Sequence, residues 1–440
     1  SDVGNAARFA VQHHDRAKFC HALNTWMLWD GEIWRPDTIG AVQHLAVDTV
    51  RTIYHEAALL PTKAERDTRA KWAATSESDS RLHALLSLAR ANLPVRLEQL
   101  DADPWKLTVA NGTIDLHTGL LHPHGPVDLI TKRSPVAYDV GAVSPLWDAV
   151  ITRALPDPPV RRFLQKCIGY TLTGTTGEDV LIVAHGPTRT SKGTVQDALA
   201  AMLGDYALSA ELDLLAERDR PGGPRPDLVR LRGARMINIY ETSRRLKLSA
   251  AFVKSWTGSD PITARDLFAR PLTFRPEGKL WVTTNHRPMA AADDEALWTR
   301  IREVPFVVTI PEAERDPRVR AQLREPDVHG AAILRWAVEG CLLWQTEGLA
   351  PPDAVRAATR SYRESMNPIG AFVADQCVLL PDAWTLSTAL RAAYEQWAKQ
   401  NGEPAIDGRA FQDALRQAGC DAERRHAGRG WNGIGLHADA

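Results

Sequence analysis

A lysine closing a run of small and turn-forming residues, Gly186-Pro187-Thr188-Arg189-Thr190-Ser191-Lys192-Gly193-Thr194, has the chemistry of a phosphate cradle. Backbone N–H groups at a helix start face an anion, and a lysine ammonium adds a point charge. The stretch follows an apolar run, Val180 to Ala184, and opens into a helical pattern, so strand, loop and helix stand in the order a nucleotide site needs. It departs from the P-loop consensus twice. Ser191 stands where glycine is usual, and Gly193 where the magnesium-binding Ser/Thr is usual, with Thr194 one step later. Gly186, Ser191, Lys192, Gly193 and Thr194 are the candidates for binding ATP, and Thr194 is a candidate ligand of Mg2+.

Hydrolysis needs further parts: a carboxylate for magnesium or for the attacking water, a polar group on the γ-phosphate, and a cation for charge developing in the transition state. The chain supplies one of each in order. Arg235 to Tyr240 reads as a strand delivering Glu241 at its carboxyl end, the edge where α/β sheets bind ligands. Lys279 to Thr284 delivers Asn285 the same way, and Leu297-Trp298-Thr299-Arg300-Ile301-Arg302 offers arginines, with Arg300 the better finger. Lys192, Glu241, Asn285 and Arg300 are thus the catalytic candidates, and Glu241 shares the magnesium assignment with Thr194. Each has an ordinary explanation as well: a solvated strand end for Glu241, a turn former for Asn285, an ion pair with Glu303 for Arg300. The four in series carry the reading. The Trp-rich segment Trp26 to Trp34 reads as core packing, Asp101-x-Asp103 as a turn, and His13-His14 and His122-x-His124 lack further ligands for a metal.

The elements that must position these groups follow from the pattern. A length of 440 residues implies about three domains. Apolar content of 44%, charged content of 24% and a net charge of −1 place the chain among globular proteins, so a nucleic-acid partner must be held by local basic positions. The five scattered cysteines have no metal spacing and imply a reducing compartment, and no apolar run reaches the ~18 residues of a membrane helix. A cytoplasmic protein with no membrane partner is expected. The chain opens on Ser1 rather than methionine, which implies processing or a segment upstream. Residues 1–145 mix helices with hairpins at Asp30-Gly31 and Asn111-Gly112; 146–330 alternate strands and helices, the α/β signature; 331–375 are helical; and 376–440 form a small module with helices over 387–400 and 408–418 and a Gly-rich hairpin over 424–436.

At this point the chain resembles superfamily 3 DNA helicases of the phage, plasmid and poxvirus primase-helicase family. The resemblance is carried by Phe252-Val253-Lys254-Ser255-Trp256-Thr257-Gly258-Ser259-Asp260-Pro261-Ile262-Thr263-Ala264-Arg265, by Phe274-Arg275-Pro276 and by the Asn285-terminated strand. It extends to Asn111-Gly112-x-x-Asp115-Leu116, Gly169-Tyr170-x-Leu172-x-Gly174, and Tyr362-Arg363 with Pro368-Ile369-Gly370 and Phe372. It implies an AAA+-like P-loop ATPase core over 146–330, an α+β N-terminal accessory domain over 1–145, a helical extension over 331–375 and a winged-helix-like module over 376–440. It implies a ring, a homo-hexamer, translocating on single-stranded and forked DNA in replication of a mobile element, with a primase or polymerase as a further partner. Ile262 to Phe274 would form a pore hairpin in which Arg270 grips phosphate and Phe268 stacks or braces the tip, and Lys254 contacts DNA or stabilises the strand cluster. The polymerase-like primase domain that commonly precedes this region does not occur within these residues.

The altered loop, and Tyr240-Glu241 where related ATPases have two acids, keep a second function open: a nucleotide-dependent ring that binds DNA or an origin with weak or no hydrolysis. A third, a small-molecule phosphotransferase, has no use for the long hairpin before Lys279. In the tail, Arg409, Arg424, Arg425 and Arg429 suit duplex phosphates, and Asp413, Asp421 and Glu423 dilute them, so duplex binding and protein docking both remain open.

Overall fold

Residues 1–100 build a helical layer on a small sheet. The computed structural model describes residues 1–216, 224–240, 247–265, 271–401 and 406–437. Helices Asp2–His13, Val42–Ala58 and Asp79–Asn92 bury Phe9, Val50 and Leu85 with Trp26 of the sheet. The expected hairpin forms: Thr25–Trp29 pairs antiparallel with Trp34–Pro36, and the Asp30 carboxylate accepts from the N–H groups of Glu32 and Ile33 to close the turn. Trp34 is buried and donates to the Pro126 carbonyl, so it packs rather than presenting a face to a base. Asp101 takes φ +57° and accepts from Thr131, as a turn residue does.

The centre of the molecule is a five-stranded sheet in which every neighbouring pair is parallel. Its strands are β1 (Leu181–His185), β2 (Ala207–Ala210), β3 (Met236–Tyr240), β4 (Lys279–Thr284) and β5 (Ile301–Pro305), in the spatial order β5-β1-β4-β3-β2. Both faces are covered, which is why the central strand β1 reads as an unbroken apolar run from Val180 to Ala184. Ile182, Ala184, Trp281 and Val304 face a core shared with helices α1 (Pro158–Leu172), α2 (Lys192–Leu203) and α4 (Ala331–Glu347). Leu181, Val183, Ile237, Ile239, Leu280 and Val282 face the opposite core, with Val253 and Trp256 of helix α3 (Ala250–Thr257) and with Tyr362. The first of these cores also takes in Leu107, Val109, Ile114 and Leu116 of the second expected hairpin, whose strands are Lys106–Val109 and Gly112–Asp115.

Helices α1 and α4 cross with almost no space between their backbones. A methyl on Gly169 would lie 2.0 Å from the Cys341 nitrogen, and one on Gly340 would lie 2.2 Å from the Gln165 carbonyl oxygen. Glycine at both positions is what lets the helices meet. The tail buries its own core, including Phe372, Tyr394, Phe411 and Trp431. It contains helices α5 (Ser387–Asn401) and α6 (Gly408–Gln417), and a three-stranded antiparallel sheet with Gly428–Leu436 between Cys377–Leu386 and Asp421–Arg425. The first of those strands is not foreseen by the sequence reading. All five cysteines are buried and unpaired, and among the described residues no helix is long and apolar enough to cross a membrane.

Candidate active site

Strand register assembles the site. His185 ends β1 opposite Thr284 of β4 and Pro305 of β5, and Tyr240 ends β3 opposite Thr283. The residues that follow, Gly186 and Asn285, therefore leave the sheet at the same edge, where β3 also ends at Tyr240. Glu241 itself lies outside the described residues. The loop after β1 is held against the segment leaving β5: Phe306 N–H donates to the His185 carbonyl at 2.7 Å, and Ile310 N–H to the Arg189 carbonyl at 2.9 Å. Gly186 is needed for that contact, because a Cβ there would sit 2.0 Å from the Phe306 carbonyl oxygen.

The loop turns into α2 through two residues in the left-handed region, Arg189 and Ser191, each at φ +64°. Neither is glycine. A Cβ in this region costs roughly 1–2 kcal/mol, so the Ser191 departure places strain at the residue before the lysine. Lys192 then folds back under the loop, 6% exposed, and its Nζ donates to the carbonyls of Gly186 at 2.7 Å and Pro187 at 2.6 Å. It also reaches Thr190 Oγ1 and Asn285 Oδ1, each at 3.1 Å. These oxygens are all neutral. Burial without a counter-charge among the described residues pulls the Lys192 ammonium down to about 8. A cation held by neutral dipoles beside a helix N-terminus fits a phosphate, whose negative charge would raise the lowered value again.

The structure thus brings Gly186, Ser191, Lys192 and Asn285 together. Thr194 lies in the first turn of α2, half-buried, and Asp197 is its neighbour one turn on. Asp197 Oδ1 accepts from the Tyr240 hydroxyl at 2.9 Å, which sets a carboxylate beside the end of β3. A hydroxyl and a carboxylate are the hard oxygen donors that magnesium takes.

Arg300 stands elsewhere. It precedes β5, at the opposite edge of the sheet, so about one strand length, roughly 16 Å, separates its backbone from the loop. Its guanidinium is occupied within the chain, donating to Thr257 Oγ1 at 3.0 Å and to the Ala296 carbonyl at 2.7 Å, with Asp179 at 3.7 Å. Glu303 does not pair with Arg300; it is 1% exposed and takes Arg287 at 2.9 Å and His185 at 3.1 Å instead. Lys254 pairs with Asp294 at 3.0 Å, an interaction that holds the Asp294 carboxyl below its usual range. The stem of the hairpin forms from Ile262–Ala264 and Leu272–Phe274, paired antiparallel. Phe268 and Arg270 lie outside the described residues. In the tail, Arg425 pairs with Glu423 at 2.8 Å. The sequence reading overlooked Asp197, Arg320 and the His185–Glu303–Arg287 cluster; only Asp197, three residues beyond Thr194 on one helix face, left a trace in the spacing.

An α/β protein with a lysine-bearing loop at the carboxyl edge of a five-stranded parallel sheet is the class these features define. Residues 6–156 match the family model described as D5 N terminal like. A protein of Acanthamoeba polyphaga mimivirus, "Putative helicase L207/L206", is 25% identical over 305 residues, covering 65% of this chain and 32% of the relative. A Frog virus 3 protein, "Putative helicase 022R", is 26% identical over 272 residues, covering 58% of this chain and 28% of the relative. The chain thus spans about a third or less of the curated relatives it matches. A solved structure, the A form apo structure of the NrS-1 C-terminal region, superposes with a TM-score of 0.51 at 8% identity, covering 95% of this chain and 96% of that one. That likeness is one of fold alone. In sequence the chain is thus similar to a D5 N-terminal-like model over residues 6–156 and to viral proteins named putative helicase.

Proposed function

We propose that this chain is the ATP-driven motor of a DNA helicase acting in replication of a virus, phage or plasmid, with the sheet and its loop as an AAA+-like P-loop core. The observation that carries the reading is Lys192, a buried ammonium ringed by neutral oxygens at the carboxyl edge of a parallel sheet, with Asn285 of the adjacent strand at 3.1 Å. In this reading Lys192 leaves the loop carbonyls for the β- and γ-phosphates of ATP, and Asn285 orients the γ-phosphate or the attacking water. Thr194 and Glu241 would hold magnesium, which lowers the charge on the phosphates. Glu241 polarises the water. The orientation of Arg300 at the far edge of the sheet suits a finger offered to the next subunit of a hexamer, not to its own loop. The hairpin carries Phe268 and Arg270 to single-stranded DNA, and Lys254 holds the helix at its base through Asp294.

The Ser191 strain and the hydrogen at Gly193 favour one second reading, a ring that binds DNA in a nucleotide-dependent way with weak turnover. Hydrolysis of ATP with and without single-stranded DNA, beside Lys192→Ala, separates the two. Hydrolysis that rises with DNA and is lost in the variant is the expected result. No turnover above the variant, in protein that still binds nucleotide, selects the second reading.

A further inference from the structure

The segment that leaves β5 does more than brace the loop. From Phe306 it runs along the loop to Ile310 and then delivers the helix Arg318–Leu323 against α2, the helix that Lys192 begins. Among the described residues, Arg320 of that helix is held through Nε. Its Nε donates to Asp197 Oδ2 at 2.8 Å, while the other oxygen of that carboxylate accepts from Tyr240 at 2.9 Å. The carboxylate, held on both sides, therefore sets the plane of the guanidinium. No hydrogen bond of the outer nitrogens is found among the described residues, and the side chain remains 57% exposed. What Nη2 faces is Gly193: a methyl built on that residue would lie 3.8 Å from it. A side chain at 193 would pack on the guanidinium at ordinary van der Waals distance; glycine leaves that side of it uncovered, one residue beyond the lysine.

We propose that Arg320 is a second phosphate-binding residue of the nucleotide site, supplied by the same chain, with Asp197 and Tyr240 as the positioning residues that aim it past Gly193. The inference rests on the nucleotide-site reading above. It gives the Gly193 departure a physical reading: with no side-chain hydroxyl at 193, the polar contact to phosphate on that side of the loop falls to Arg320. A guanidinium suits this place because it can keep Nε on a carboxylate while its outer N–H pair forks onto a phosphate, which an ammonium cannot do.

The test is titration of a fluorescent ATP analogue and its ADP counterpart into the full chain without turnover, for wild type, Lys192→Ala, Arg320→Gln and Arg320→Lys, with melting temperatures recorded free of nucleotide. Glutamine and lysine keep the stem that packs on α2, so folding is preserved where alanine would leave a gap. A charge-assisted contact to phosphate predicts about ten- to a hundredfold weaker binding of the triphosphate in Arg320→Gln, a smaller loss in Arg320→Lys, and a smaller loss for the diphosphate. If Arg320 only staples two helices, both variants shift the melting temperature and leave the triphosphate affinity at the wild-type value, which overturns the proposal alone. If wild type binds no nucleotide, or Lys192→Ala binds as wild type does, the nucleotide-site reading falls and this inference with it.

Discussion

Ser191 is the residue at which sequence and backbone disagree most sharply. It occupies φ +64°, ψ +6° as the residue before α2, a conformation that an L side chain enters at a cost of roughly 1–2 kcal/mol and glycine enters freely. Ser191→Gly should therefore stabilise the nucleotide-free protein by about 1 kcal/mol, less what glycine adds to the entropy of the unfolded chain. Denaturant midpoints of the two proteins measure it; an unchanged or lower midpoint would show that the serine hydroxyl contributes more to the loop than its Cβ costs. Lys192 and Asn285 were legible because a turn-rich loop after an apolar strand, and a polar residue closing another, are local patterns. Arg320 was not, because nothing local to it marks a site: only the return of the chain over the loop after β5 brings it to Gly193. Asp197 reads as a helix-surface acid until Tyr240 and Arg320 are seen on either side of it.

Two elements hold the sheet's amino edge and its helical cover, and both make predictions. The α1–α4 crossing depends on Gly169 and Gly340, where an added methyl meets backbone at 2.0 and 2.2 Å. Gly169→Ala should destabilise the protein by about 3 kcal/mol, the upper range for overpacking, because backbone cannot rotate aside as a side chain can. A denaturation midpoint equal to wild type would mean the helices separate at little cost. At the same edge, Lys279 opens β4 in full burial and donates to the carbonyls of Thr173 and Glu277. Burial, with Arg235 close by, holds its ammonium well below the usual lysine range. Between that lowered value and the ordinary 10.5 the unfolded chain binds the proton and the folded chain does not, so this group makes stability rise with pH, by at most about 1.4 kcal/mol per unit. Lys279→Met should remove that slope: wild type gains on the variant as unfolding is compared from neutral to alkaline pH, and parallel curves would refute the assignment. The strands of the sheet and the hairpins were readable because burial on both faces or a two-residue turn leaves a local signature. Cys377–Leu386 escaped because its register shifts between Leu379 and Trp384 around Pro381, so the apolar run Cys377 to Leu380 is cut short and no alternation spans the strand.

For the whole molecule the decisive group is Arg300, because its place in the fold argues about neighbours. A finger must reach the γ-phosphate, yet Arg300 sits a strand length from its own loop and is bound within its own chain by Thr257, Ala296 and Asp179. If it acts, it acts on the nucleotide of an adjacent copy, which requires a head-to-tail interface that closes into a ring. The exchange of partners is modest in energy, since the Asp179 pair is long and half exposed to solvent. Mixing decides between the trans and cis roles. Lys192→Ala and Arg300→Ala should each abolish DNA-stimulated hydrolysis as homogeneous rings. In an equal mixture about one interface in four joins an intact lysine to an intact arginine across a heterologous contact, so hydrolysis should return to a measurable fraction of wild type. A mixture as inactive as its components, in rings shown by sedimentation to have exchanged subunits, would confine Arg300 to the structural contacts it makes within one chain.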